Sequence, residues 1–217
     1  MRKQFVVIGL GRFGTSVAKT LSMLGHDVLA IDSSESAVQA IMHDVTHAVQ
    51  ADARDEETLT TLGVRNFEIA VVAVGHDLEA NILITVLLKE MGIKFVVAKA
   101  VSALHGKVLT RVGADKVVYP EKDMGTRVAY NLVSGNVMDF IELSPDYGII
   151  ELIAPGKFVD KSLGELNLRA KYGISVMAIK KAEEIVVAPG ADYKISVNDT
   201  LVFVGKIDVL NNLPNDQ

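Results

Sequence analysis

Six residues near the start of the chain have the types and spacing to hold a phosphate chain. Gly9-Leu10-Gly11-Arg12-Phe13-Gly14 is a G-x-G-x-x-G run. It follows the apolar, β-branched stretch Gln4 to Ile8, which has the character of a buried parallel strand. Val17, Ala18, Leu21 and Leu24 then recur at helical spacing. In that context Gly9 makes a tight turn, Gly11 lets a pyrophosphate approach the backbone, and Gly14 lets helix and strand pack closely. The unpaired N–H groups of the helix start face the phosphates. The next apolar run, Val28 to Ile31, ends at Asp32, 18 residues after Gly14. A carboxylate there is placed to accept the ribose hydroxyls of an adenosine. A glycine run alone is as compatible with an empty structural turn. Strand, glycines, helix and acid together lead to the expectation of adenine-nucleotide binding.

Other residues fall at the edge where such a ligand binds. Arg12 lies inside the glycine loop, where its planar fork suits phosphate; the alternative is a solvated cation at a helix start. One charge pair at 4 Å is worth roughly 4 kcal/mol at an effective dielectric near 20, before desolvation. That exceeds the roughly 1–3 kcal/mol typical of allosteric coupling, so Arg12 fits a sensor of phosphate number. Phe13 completes the loop and Ser33 follows the ribose acid. Lys99 ends an apolar run, as a phosphate or base contact or as a plain surface lysine. Asp52 and Ala53, and Ala73, Val74 and Gly75, follow two further strand-like runs. Catalysis has no comparable support. The 5 histidines are scattered, and there is no Walker A loop and no nucleophile elbow. A nicotinamide-dependent dehydrogenase and an NAD(H)-binding sensor stay as alternatives.

The elements that position these residues alternate. Strands are expected at Gln4 to Ile8, Val28 to Ile31, His47 to Gln50, Phe67 to Val74, Lys94 to Lys99 and Lys116 to Tyr119, with helical segments between them. Such alternation implies a Rossmann-like, doubly wound parallel sheet in an α/β fold. The helix at Leu78 to Met91 is apolar beyond a single stripe, which calls for cover on two sides, by the sheet and by a subunit partner or another part of the chain. From Pro120 a helix is expected through Val133, broken by Gly135-Asn136. Val137, Met138, Phe140, Ile141 and Leu143 are expected to form a second short helix, the two serving as crossover or dimerisation helices. Beyond Pro145 the chain turns strand-rich, a small α+β module that is marginal alone and gains from dimerisation. The expected organisation is therefore 1–119, 120–143 and 144–217.

The 217 residues are 49% apolar and 23% charged, an ordinary globular balance. The net charge of −5 contains no basic cluster and argues against nucleic acid. There are no cysteines, which removes disulfides and thiolate chemistry. A strand starting at Gln4 leaves no room for a signal peptide, and no apolar run reaches the ~20 residues of a membrane helix. A cytoplasmic protein is expected.

Val7-Ile8-Gly9-Leu10-Gly11-Arg12-Phe13-Gly14, Tyr119-Pro120-Glu121-Lys122-Asp123-Met124 and Leu166-Asn167-Leu168-Arg169-Ala170-Lys171-Tyr172-Gly173 together resemble a known family. The chain is similar over its length to cytosolic regulatory subunits of bacterial Ktr potassium transporters, of the KtrA/KtrC kind, built from an RCK N-domain and an RCK C-domain. The resemblance implies a homodimer that assembles into an octameric ring, binds ATP or ADP, and gates a separate potassium-translocating subunit at the inner face of the membrane. It implies that Arg12 reaches a neighbouring subunit's nucleotide. It implies that Glu121 faces its symmetry mate and shares a cation, as a metal ligand; the other reading of Glu121 is a first-turn acid stabilising its helix. It further implies a cyclic di-AMP site on a C-domain dimer. There Arg169 is the phosphate partner, with Asn167 in the same motif, Leu163, Ile174 and Pro189 as apolar contacts and Ser175 where relatives often have Asn. Ser34 likewise stands where many members have Asn, which puts one adenine or ribose contact in doubt.

Overall fold

The computed structural model describes residues 2–133, 137–182 and 184–213. The chain divides into two compact units, Met1–Glu121 and Lys122–Gln217.

In the first unit the elements are β1 (Gln4–Ile8), α1 (Arg12–Met23), β2 (Asp27–Asp32), α2 (Glu35–Gln39), β3 (His47–Gln50) and α3 (Glu56–Thr61). They continue with β4 (Ile69–Val72), α4 (Leu78–Glu90), β5 (Phe95–Lys99), α5 (Ala103–Arg111) and β6 (Lys116–Val118). The strands form one sheet in the order β3-β2-β1-β4-β5-β6, every pair parallel. Alternation along the strands divides the core between the two faces. Val6, Ile8, Leu29 and Ile31 pack with Leu59, Ile84 and Leu88. Val7, Val28 and Ala30 pack with Ala18, Val38 and Ile41. Helices on both faces make the sheet doubly wound, and strand order reverses between β1 and β4. That switch point opens a crevice at the carboxyl ends of the strands. Ser34, Asp55, Asp77 and Ser102 cap α2, α3, α4 and α5 through their side chains. On α4, Leu78 and Leu83 stand exposed.

The second unit contains most of α6 (Pro120–Val133), whose Pro120 stands at the first helical position. Met124, Val128 and Leu132, spaced by four, leave an exposed apolar stripe along it. Then come β7 (Val137–Glu142), β8 (Tyr147–Ile153), α7 (Leu163–Leu166), α8 (Leu168–Tyr172), β9 (Ser175–Lys181), β10 (Glu184–Val187), β11 (Thr200–Lys206) and α9 (Ile207–Asn211). The five strands form an antiparallel sheet in the order β10-β9-β11-β8-β7. The second short helix expected after Pro120 is instead the strand β7. Phe140 faces the core beside Ile150 while Ile141, opposite Ile149, is half exposed. The period is two, and a hairpin through Ser144 to Tyr147 joins β7 to β8. The expected break at Gly135-Asn136 lies outside the described residues. No helix among the described residues is long and apolar enough to cross a membrane.

Ile174 is a second correction. The resemblance implied an apolar ligand contact, whereas in this chain its side chain is fully buried among Ile150, Leu168, Ile179 and Phe203. Gly205 accommodates it, since a Cβ there would lie 2.6 Å from its Cγ2. Ile174→Ala is expected to destabilise the protein by about 2–5 kcal/mol in denaturant unfolding. A loss under about 0.5 kcal/mol contradicts the core placement.

Candidate functional site

The cleft begins where α1 meets the strand tips. Gly9 has φ +93°, and a Cβ on it would lie 2.9 Å from the Val74 amide nitrogen. Gly14 packs closer still: a Cβ there would stand 1.8 Å from the Gly9 carbonyl oxygen and 3.0 Å from the Ala73 Cβ. Only glycine lets the helix sit so near the tips of β1 and β4. Gly11 differs, with nothing within 4 Å of where its Cβ would be. It precedes α1 with no side-chain cap, unlike the starts of α2 to α5. The first N–H groups of α1 thus face open space. Thr15 steadies the turn through its hydroxyl, 2.8 Å from the Leu10 carbonyl oxygen.

That space is a cleft of about 820 Å³ at the carboxyl edge of the sheet. Of the residues expected from the sequence, Gly9, Gly11, Arg12, Phe13, Asp32, Ser33, Asp52, Ala53, Ala73, Val74, Gly75 and Lys99 all line it. Gly14 does not, because it is spent on helix–strand packing. Glu121 lines it as well. Asp32 accepts the Leu10 amide at 2.6 Å and the Ser34 amide at 2.8 Å, which fixes its carboxylate at the tip of β2. A carboxylate has about four acceptor positions, so it retains capacity for hydroxyls. Ser34 uses its hydroxyl to cap α2, accepting from the Ala37 amide.

Two of the three cations at the cleft are already paired. Lys99, its side chain only 12% exposed, runs past Gly75 and donates from Nζ to Glu121 at 2.6 Å. The hydrogen bond from that ammonium holds the Glu121 carboxyl below the usual carboxylate range. Arg54 grips Asp52 with a fork. Arg12, exposed at the first position of α1, makes no ion pair among the described residues. The described residues contain no group of three side chains able to hold a metal, and Glu121 has a lysine as its neighbour instead.

Several contributors escaped the sequence reading. Arg54, His76 and Asp77 line the cleft. Asn81 is fully buried on α4, and its Nδ2 donates to the carbonyl oxygens of Val74 and Lys99. It thereby ties the loop after β4 to the end of β5. An asparagine inside the apolar run of α4 was the available signal, because a buried amide without partners is costly.

In the second unit, the residues expected at the other site occupy the α7–α8 region and its neighbours. Ser162 and Glu165 form a capping box at the start of α7. Asn167, with φ 45°, makes the left-handed link between α7 and α8. Arg169 is exposed on α8 and forms no ion pair among the described residues. Leu163 and Gly164 donate backbone bonds to Tyr193 and Ala191, in the loop that follows Pro189. Ser175 opens β9.

Comparison with known proteins follows this division. Residues 5–120 match the TrkA-N domain and residues 149–214 the TrkA-C domain. The chain is 45% identical over 214 residues to Ktr system potassium uptake protein A of Bacillus subtilis (strain 168), covering 99% of this chain and 96% of that one. It is 44% identical over 207 residues to Ktr system potassium uptake protein C of the same organism, covering 95% and 94%. Among solved structures, the GsuK channel bound to NAD has TM-score 0.65 at 16% identity, over 97% of this chain and 38% of that longer one.

The two glycines separate packing from binding. Gly14→Ala is expected to lower the unfolding temperature, because its Cβ has no room. Gly11→Ala is expected to leave unfolding unchanged and to weaken nucleotide binding at least about tenfold, as its Cβ enters the space a phosphate would fill. Calorimetric unfolding and an ATP titration of each variant check this. Unchanged ATP binding by Gly11→Ala contradicts the placement of the phosphates.

Proposed function

This chain belongs to the family of TrkA-N and TrkA-C domain proteins that includes the Ktr potassium uptake proteins A and C, and on that premise we propose that it is the nucleotide-sensing regulatory subunit of a potassium uptake system. It binds ATP and ADP in the first unit and cyclic di-AMP on a dimer of the second. Both act on a homodimer-based octameric ring at the cytoplasmic face of a potassium-translocating membrane subunit. It catalyses no reaction.

The observation that carries this reading is the uncapped start of α1 opening into a cleft that holds Asp32 and Arg12. Asp32 takes the ribose, the α1 amides take the first phosphates, and Arg12 takes the terminal one, in the same or a neighbouring subunit. Lys99 and Glu121 supply the link onward. An arriving phosphate chain competes with Glu121 for Lys99, and Glu121 belongs to the first turn of α6. Freed from Lys99, its carboxylate is available to a cation shared with its symmetry mate. Two facing carboxylates repel unless a cation lies between them. The exposed stripe Met124, Val128 and Leu132 is the surface proposed to meet a second copy. Phosphate number is in this way felt at the dimer contact.

For the second site, Arg169 from each chain faces one phosphate of a two-fold symmetric ligand on a two-fold axis. Leu163 and Pro189 supply apolar contact, with Asn167 and Ser175 at the rim. The two ligands bias one ring, so their coupling is reciprocal.

Asp32→Ala is expected to weaken ATP and ADP equally. Arg12→Ala is expected to weaken ATP roughly tenfold more than ADP, the size of one charge-assisted hydrogen bond. Equal losses in Arg12→Ala remove it as the sensor. Arg169→Ala in the full chain is expected to abolish cyclic di-AMP binding at one ligand per two chains, and unchanged affinity overturns that assignment. NADH binding more tightly than ATP supports the NAD(H)-sensing alternative.

A further inference from the structure

We propose that Arg54 sets the base specificity of the cleft by occupying Asp52, so that the pair accepts adenine and excludes guanine. The inference rests on the nucleotide site proposed above. With phosphates at the start of α1 and ribose at Asp32 on the tip of β2, the base extends toward the neighbouring strand β3. Ala51 to Arg54 follow that strand and line this end of the cleft.

The Arg54 side chain is clamped there. Its Nε lies 2.9 and 3.2 Å from the two oxygens of Asp52, its Nη2 lies 2.7 Å from Oδ2, and its amide donates to Oδ1 at 3.0 Å. These bonds hold the Asp52 carboxyl at about 2, so it acts only as an acceptor at neutral pH. Both oxygens carry the Arg54 fork, which is the bidentate arrangement that planar guanidinium and carboxylate favour.

A free carboxylate at a base site is a good partner for guanine, whose N1–H and N2–H₂ are two parallel donors matching its two oxygens. Under the Arg54 fork that bidentate site is taken. A remaining lone pair still suits the single N6–H₂ donor of adenine. Arg54 therefore discriminates through the partner it covers, and Asp52 touches the base. A bidentate pair is worth about tenfold or more in discrimination between bases. Both side chains are about half exposed, so truncating Arg54 opens no core cavity.

The test is titration of ATP and of GTP into the full-length wild type, Arg54→Ala, Arg54→Lys and the Asp52→Ala/Arg54→Ala double variant. Wild type should bind ATP and bind GTP at least about tenfold more weakly. Arg54→Ala should raise GTP affinity about tenfold and change ATP affinity less than about threefold. Arg54→Lys keeps the charge but lacks the fork, so it too should gain GTP binding, and it serves if Arg54→Ala fails to fold. The double variant should lose the GTP gain and bind ATP about tenfold more weakly than wild type. Wild type binding neither nucleotide overturns the site and the inference with it. Wild type binding ATP, while the Arg54 variants leave GTP unchanged or weaken both nucleotides together, leaves the site standing and overturns the role of Arg54.

Discussion

The close approach of α1 to the tips of β1 and β4 is the constraint on which the cleft depends. A Cβ on Gly14 would lie 1.8 Å from the Gly9 carbonyl oxygen, far inside contact distance. Because the helix is drawn in this far, its first amides arrive at the switch point of the sheet rather than above it. The absence of a side-chain cap follows the same logic. Ser34, Asp55, Asp77 and Ser102 satisfy the starts of the neighbouring helices, while α1 begins at glycine and keeps its amides for something else. The first N–H groups of a helix have no intrahelical partner, and with the positive end of the helix dipole they favour an anion there.

Around that start the proposed binding of a nucleotide is an exchange of partners at Lys99. Lys99 holds Glu121, the pair proposed to open, and Arg54 holds Asp52 in a fork proposed to stay closed. Lys99 is nearly buried while Glu121 is largely exposed, which makes Glu121 the member free to move. The buried Asn81 ties the carbonyl of Lys99 to that of Val74 and so fixes the backbone from which the Lys99 side chain extends.

Much of this was legible in the sequence because it is governed by local rules. The period-two strands, the helical recurrences and the glycine spacing specify the sheet, the turn and the place of Asp32 from neighbours a few residues apart. Arg54 was not legible: its role depends on which way a side chain turns at a strand tip, and no spacing rule marks that. The strand β7 was misjudged because a run of six residues has too few periods to tell helix from strand, and its partner β8 decides the matter. The burial of Ile174 is not legible either, because the glycine at 205, 31 residues further on, makes the space that takes its side chain. The helices α7 and α8 were missed as elements because each is only one turn or so, joined at the left-handed Asn167.

The central claim is that ATP and ADP compete for one cleft in the first unit while cyclic di-AMP occupies a separate site. A competition titration on the purified full-length protein tests it most directly. Bound ATP should be displaced stoichiometrically by ADP and should remain bound at saturating cyclic di-AMP, with its affinity shifted by a finite, saturating factor. Displacement of ATP by cyclic di-AMP in simple competition, or failure of ADP to displace ATP, would contradict the account.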